Sequence, residues 1–165
     1  MSGVRGIDTG IPGVRIDGRS LLPVIVDEQL AARTLATGSA GDRTVVLLAR
    51  GDVLAASELV AETRLHEPRN FRMRVLDADV TRAAGDPQRA INRLRTLLTE
   101  YAGTPEEAVL QHHLGLAYFG TGDFHAAHTR FTLALELREA AGAPEFLIAS
   151  SRSSLAAADA RLPGA

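Results

Sequence analysis

The chain has 165 residues, a formal net charge of −2 at pH 7 and no cysteine. This length suits one domain with a hydrophobic core, and the small charge gives no overall field that would attract nucleic acid or an anionic membrane. The lack of cysteine excludes disulfides, thiolate metal sites and cysteine nucleophiles.

The first 26 residues show no helical period of apolar side chains. They are rich in glycine and alternate small, polar and branched residues, which predicts a flexible N-terminal arm over residues 1–26. The segment lacks the apolar core and the cleavage site of a secretory signal, and no apolar run approaches the roughly 20 residues of a membrane span. We therefore expect a cytoplasmic protein with no membrane partner.

All lysine and arginine positions are occupied by arginine, which is typical of a GC-rich bacterial genome.

Helix signals dominate from residue 27 onward. A short helix is predicted at about 27–36, and Asp86, Thr104 and Asp123 are placed to cap the starts of later helices. Gly142 and Pro144 close one helix and open another, which predicts a last helix over 144–162. The chain therefore reads as an all-α protein of successive helices joined by short turns.

A Gly-Asp pair recurs in three turns, at Gly51, Gly85 and Gly122, with spacings of 34 and 37 residues. An alanine follows each glycine after five residues, and a large apolar residue follows after nine: Ala56, Ala90 and Ala127, then Val60, Leu94 and Phe131. A period near 34 residues, with two helices per unit, is a signature of helical solenoids, because one hairpin cannot bury its apolar face alone.

The third copy resembles the tetratricopeptide repeat (TPR) family. It carries Leu114-Gly115-x-x-Tyr118, followed by Ala127-x-x-x-Phe131-x-x-Ala134, at the spacing of that pattern. Gln111 replaces a large aromatic residue of the pattern and Glu139 replaces a proline, and the first and second copies match less closely. Small residues are needed where the two helices of a hairpin cross, and large ones fill the space between hairpins.

This resemblance implies an all-α fold, a right-handed α-solenoid over residues 27–162. We expect three TPR-like hairpins at about 37–70, 71–107 and 108–141, followed by a C-terminal capping helix at 144–162. Such a solenoid presents a concave surface formed by the first helix of each hairpin.

In TPR proteins this concave surface receives a peptide of a partner. The resemblance implies a partner-binding groove lined by side chains of the second and third repeats: Arg72, Val75, Asp79, Arg82, Val109, His112, Leu116 and Phe119. A groove that is apolar at both ends, with two arginines between, suits a peptide with hydrophobic anchors and one acidic group. We therefore expect a protein-interaction module or adaptor that binds a protein or peptide of unknown identity, with no cofactor.

Other interpretations of the groove remain open. Its side chains would instead pack against the capping helix or against a second copy of the chain. The apolar run Leu21–Val26 would dock into the groove of its own chain or of a neighbour, which gives a self-associating, homo-oligomeric protein. Deletion of residues 1–26 would separate these cases.

The sequence gives little indication of a catalytic, metal-binding or nucleic-acid-binding site. Four of the five histidines fall in the third repeat, and His125 and His128 share one helix face, but the adjacent His112 and His113 point about 100° apart and cannot easily share an ion. No catalytic triad or zinc-protease motif stands out, so we expect no catalytic residues and no metal. Eight arginines between residues 64 and 95 form a basic stretch, but it holds one aromatic residue, so nucleic acid is disfavoured.

Overall fold

The computed structural model describes residues 6–164, and this part of the chain is mostly helical, as the sequence predicts. Three short strands come first: β1 (Gly6–Asp8), β2 (Val14–Asp17) and β3 (Pro23–Ile25). Eight helices follow in the described part: α1 (Glu28–Thr37), α2 (Ala40–Ala49), α3 (Val53–His66), α4 (Phe71–Ala83), α5 (Pro87–Glu100), α6 (Glu107–Thr121), α7 (Phe124–Ala140) and α8 (Glu145–Asp159). In none of them is the apolar stretch long enough to cross a membrane.

The prediction of a flexible arm is wrong for residues 6–26, and residues 1–5 lie outside the described part. The three strands form one antiparallel sheet in the order β1-β2-β3. Gly10 and Gly13 have φ angles of 71° and 82°, which glycine adopts readily, and they reverse the chain between β1 and β2. Strands of three and four residues are too short to show a convincing alternation in the sequence.

The turn between β2 and β3 places one leucine in the interior. The Asp17 carboxylate accepts hydrogen bonds from the backbone N–H of Ser20 and from its hydroxyl, both at 2.8 Å. Leu21 follows with a positive φ of 55°, which is unusual for a bulky side chain. Its side chain is only 2% exposed, and this burial offsets the cost of the left-handed backbone.

Aspartates cap several helices. The carboxylates of Asp52, Asp86 and Asp123 each accept a hydrogen bond from the backbone N–H three residues later, at 3.1, 3.0 and 3.0 Å. The cap expected at Thr104 does not form. Its hydroxyl donates instead to the carbonyl oxygen of Tyr101 at 2.7 Å, and α6 begins only after the turn that follows.

Consecutive helices pack against each other, and alternate helices also touch: α2 contacts α4, and α4 contacts α6. The side chains that recur in the sequence lie at the helix contacts and are at most 1% exposed: Ala56, Val60, Ala90, Leu94, Ala127 and Phe131. Gly115 lies where α6 crosses α7, and a Cβ atom added there would be 2.5 Å from Cδ1 of Phe131. The close approach of the two helices therefore requires glycine at this position.

The sheet connects the two ends of the helical array. β3 contacts α2, and β1 contacts α8. Val14 packs with Val46 of α2, whereas Ile7 and Leu21 belong to a cluster with Phe119 of α6. The sheet therefore lies across the helices on the side that carries the predicted groove.

Candidate ligand-binding site beneath the N-terminal sheet

A cavity of about 430 Å³ lies between the sheet and the helices, and we call it the inner cavity. Ile11, Ile16 and Leu21 line it from the N-terminal segment. Seven of the eight predicted groove residues line it from α4 and α6: Arg72, Val75, Asp79, Arg82, Val109, His112 and Leu116. The structure therefore brings these side chains together around one space, but it covers that space with the chain's own sheet.

Phe119 does not line the inner cavity. It is 7% exposed and packs with Leu21, and its ring centroid lies 5.2 Å from that of Phe124. The prediction of a free groove wall with Phe119 as an open anchor is wrong for the folded chain, because this side chain is buried in a cluster that includes Leu21. Phe119 instead borders an adjoining cleft of about 980 Å³, which shares Asp79 and Arg82 with the inner cavity.

Asp79 is a buried acid in the wall of the inner cavity. Nδ1 of His113 lies 2.9 Å from its Oδ2 atom, and Nη2 of Arg82 lies 3.8 Å from its Oδ1 atom. Burial works to raise the pKa of Asp79, but His113 and Arg82 outweigh it, so the pKa is lowered. This carboxylate is therefore ionised, and basic groups on two sides balance its charge.

A second polar group lies between α6, α7 and α8. Nη1 of Arg138 donates to the carbonyl oxygen of Leu147 at 2.9 Å and to Oγ of Ser151 at 2.7 Å. Ser151 Oγ in turn lies 3.4 Å from Nδ1 of His112. This oxygen accepts from Arg138 and has a proton that it can donate to Nδ1, and in that arrangement the ring proton of His112 lies on Nε2. His112 thus does pack towards the C-terminal helix.

The surroundings of His112 keep it neutral. Burial, followed by the positive charge of Arg138, lowers the pKa of His112 well below its ordinary value. The neutral ring lies against Phe131, with 5.4 Å between the ring centroids. His112 is therefore a hydrogen-bonding group of the cavity wall at neutral pH.

Arg138 is the buried charge whose partner is missing. It is 6% exposed, and no Asp or Glu oxygen between residues 6 and 164 lies within 4.0 Å of its guanidinium. Burial lowers its pKa to about 10, so it remains charged at pH 7. A buried charge is costly unless another group compensates it.

Sequence reasoning missed Arg138 and Ser151, because it considered only the first helix of each hairpin. A signal was present in α7. Arg138 follows Phe131 and Ala134 at spacings of seven and four, which places an arginine on the helix face that carries core residues. A charged residue at a core position indicates a polar site.

The histidines do not converge. His113 lies beside Asp79 and His112 beside Ser151, while Nδ1 of His128 is 2.6 Å from Oδ1 of Asp159. In the described part of the chain, no group of three or more side chains is arranged to hold a metal ion.

The basic stretch between residues 64 and 95 is partly neutralised by four carboxylates. Five of its eight arginines lie within ion-pair distance of a carboxylate: Arg64, Arg72, Arg74, Arg82 and Arg93. These pairs leave less free charge for an anionic polymer.

Searches against protein-family models, curated proteins and solved structures gave no match to this chain.

Proposed function

We propose that this chain is a protein-interaction module of the TPR type, a right-handed α-solenoid that binds a segment of a partner protein in its concave face and catalyses no reaction. The observation that supports this function is the convergence of the predicted groove residues. Side chains of α4 and α6, which are separated in sequence by α5, line one continuous space. Contacts between alternate helices are also those expected of stacked hairpins.

In this proposal the N-terminal sheet is the resident occupant of the groove. Residues 6–26 include extended segments of the chain, and they lie where a partner segment would lie. Leu21 supplies the apolar anchor by packing against Phe119. A partner segment binds by exchange with this resident segment, so the affinity for the partner depends on how firmly Leu21 is held.

The same exchange between two copies of the chain gives the alternative function, a self-associating protein. The contacts from β3 to α2 and from β1 to α8 would then be made by the segment of a neighbouring chain. A domain-swapped dimer of this kind preserves every contact of the closed monomer.

Loosening the anchor tests the proposal. The variant Leu21→Ala removes a side chain that is 2% exposed, and Leu22→Ala is its matched control because Leu22 is 48% exposed. The probe is a fluorescein-labelled peptide with the sequence of residues 6–26, titrated into each full-length variant and followed by fluorescence anisotropy. We expect Leu21→Ala to bind the peptide at least about tenfold more tightly than Leu22→Ala, because the resident segment competes less strongly.

Light scattering of the same samples separates the two functions. A monomeric Leu21→Ala variant that binds the peptide supports a module for a partner segment, whereas a mass that doubles with concentration supports self-association. Failure of both variants to bind the peptide, with both chains folded by circular dichroism, would contradict the groove function.

A further inference from the structure

The inner cavity also has the dimensions of a small-molecule site while the sheet is in place. Its volume of about 430 Å³ falls within the roughly 300–1,000 Å³ of ligand pockets. Its walls combine apolar side chains, such as Ile11, Val75 and Leu116, with a few polar groups. Ligand sites commonly have this composition, because the apolar wall supplies affinity and the polar groups fix orientation.

The charges around the cavity are unequal. The charge of Asp79 is balanced by Arg82, whose Nη2 atom lies 3.8 Å from Oδ1, and Nδ1 of His113 lies 2.9 Å from Oδ2. Arg138 lines the same cavity and has only neutral partners between residues 6 and 164, the oxygens of Leu147 and Ser151. Two further charged residues line the cavity: Arg72 pairs with Asp42 at 2.7 Å, and the Asp8 carboxylate accepts a hydrogen bond from the backbone N–H of Gly10. Arg138 is therefore the lining arginine whose charge a ligand carboxylate can still neutralise.

We propose that the inner cavity binds a small carboxylic acid with an apolar body, whose carboxylate pairs with Arg138. The body of the acid lies against the apolar wall between the sheet and helices α4 and α6. His112 lines the same cavity, and its Nε2 atom has no hydrogen-bond partner among residues 6–164. With the ring proton on Nε2, His112 is a second donor for the ligand, after the guanidinium.

The choice of a carboxylate follows from the count of charges and from shape. A planar carboxylate matches the fork of a guanidinium, whereas a phosphate dianion would bring two negative charges to one unpaired arginine. This ligand binds beneath the closed sheet, so the inference does not require the segment exchange of the proposed function. Either proposal can fail while the other holds.

Calorimetric titration of the full chain with octanoate and with 1-octanol tests the inference, because the two probes share a body and differ in charge. We expect one octanoate per chain and an affinity for octanol that is about 10- to 100-fold weaker, as the loss of a charged hydrogen-bonded pair implies. Arg138→Gln should weaken octanoate binding by a similar factor. The matched control Arg152→Gln, which changes an exposed arginine of α8 paired with Glu139, should not.

A second variant guards against a folding defect, since Arg138 also bridges α7 and α8. Ser150→Leu replaces a small side chain of the cavity wall with a larger apolar one, which would fill part of the cavity, and it leaves Arg138 intact. We expect it to abolish octanoate binding while its melting temperature stays close to that of the parent chain. Equal affinities for octanoate and octanol would overturn the inference. So would the absence of saturable octanoate binding to the parent chain, or unchanged binding in a folded Arg138→Gln variant.

Discussion

Arg138 and His112 are two buried basic groups that share one hydroxyl. Ser151 accepts a hydrogen bond from the guanidinium at 2.7 Å and lies 3.4 Å from Nδ1 of the histidine. Protonation of His112 would remove its acceptor atom and would place two positive charges around Ser151. His113, the next residue, adds to the same repulsion. The hydrogen bonds among Arg138, Ser151 and His112 therefore favour the neutral form of His112.

Acidification should accordingly destabilise the fold. The pKa of His112 is near 6.5 in the unfolded chain and well below that value in the folded one. Between these two pH values His112 is protonated in the unfolded chain and neutral in the folded one. Its contribution to the free energy of unfolding is therefore fully present above about pH 6.5 and decreases as the pH falls towards the folded pKa. The contribution of this residue has a slope of at most about 1.4 kcal/mol per pH unit. Urea unfolding between pH 7 and pH 5 measures it.

The variant His112→Gln isolates this contribution from the other titrating groups. It should lose less stability than the parent chain over the same pH range, because its side chain cannot take up a proton. His66→Gln serves as the control, since His66 is exposed at the end of α3. Identical pH slopes for His112→Gln and His66→Gln would show that His112 is not buried in a neutral form.

At the scale of elements, helices were predictable and strands were not. Residues within one helical hairpin impose local spacings, such as the Gly-Asp turn followed by Ala127 and Phe131, and these spacings are visible in the sequence. The strands of residues 6–25 are held by contacts with α2 and α8, which are distant in sequence. These short segments carry no hydrophobic period of their own, so the sequence alone favours a flexible arm for this glycine-rich stretch.

The candidate site was predictable to a similar degree. The stripe along α4 and α6 follows from helix geometry, and seven of its eight residues meet around the inner cavity. The position of the sheet beside these residues, and the burial of Phe119 in a cluster with Ile7 and Leu21, depend on contacts between segments that are distant in sequence. The spacing of Arg138 from Phe131 and Ala134 indicates a polar site in α7, but only the fold shows that no acid between residues 6 and 164 pairs with this arginine.

The contact between α6 and α7 gives a prediction for a helix pair. Gly115→Ala should destabilise the protein by about 1–3 kcal/mol, because the new Cβ would lie 2.5 Å from Cδ1 of Phe131. Gly120→Ala is the control on the same helix, where the nearest atom, Nη1 of Arg82, is 3.6 Å away. It should be neutral or stabilising by up to about 1 kcal/mol, since alanine restricts the unfolded chain. Urea unfolding of both variants, followed by circular dichroism, makes the comparison. Similar destabilisation of both would argue against a tight crossing at Gly115.

At the scale of the whole molecule, the sheet contacts helices near both ends of the helical array. Without the sheet, these helices would be linked only by the helices that lie between them. Stacked helical hairpins contact the next hairpin alone, so their ends can unfold separately. In this chain β3 contacts α2 and β1 contacts α8, which connects the first hairpin directly to the last helix. We therefore expect the closed chain to unfold in one cooperative transition.

Gly13 is the position at which this connection can be broken. Its φ is 82°, and an added Cβ would lie 2.6 Å from the backbone nitrogen of Ala31 and from the carbonyl oxygen of Asp27. Gly13→Ala should therefore lift the sheet away from α1 and cost at least about 2 kcal/mol. Gly51→Ala is the control, because Gly51 also has a positive φ, of 75°, but no atom of residues 6–164 lies within 4 Å of an added Cβ. It should cost about 1 kcal/mol through backbone strain alone.

Hydrogen exchange followed by mass spectrometry distinguishes the two variants by where protection is lost. In Gly13→Ala we expect the amides of residues 6–25 and of α8 to exchange at least about tenfold faster than those of α4 and α5, because both ends of the array are released while its centre remains packed. In Gly51→Ala the ratio between α8 and the central helices should stay as in the parent chain, since the sheet still holds α8 to α2. Parallel loss of protection along the whole of Gly13→Ala would mean that cooperativity comes from the helical stack itself and not from the sheet that spans it.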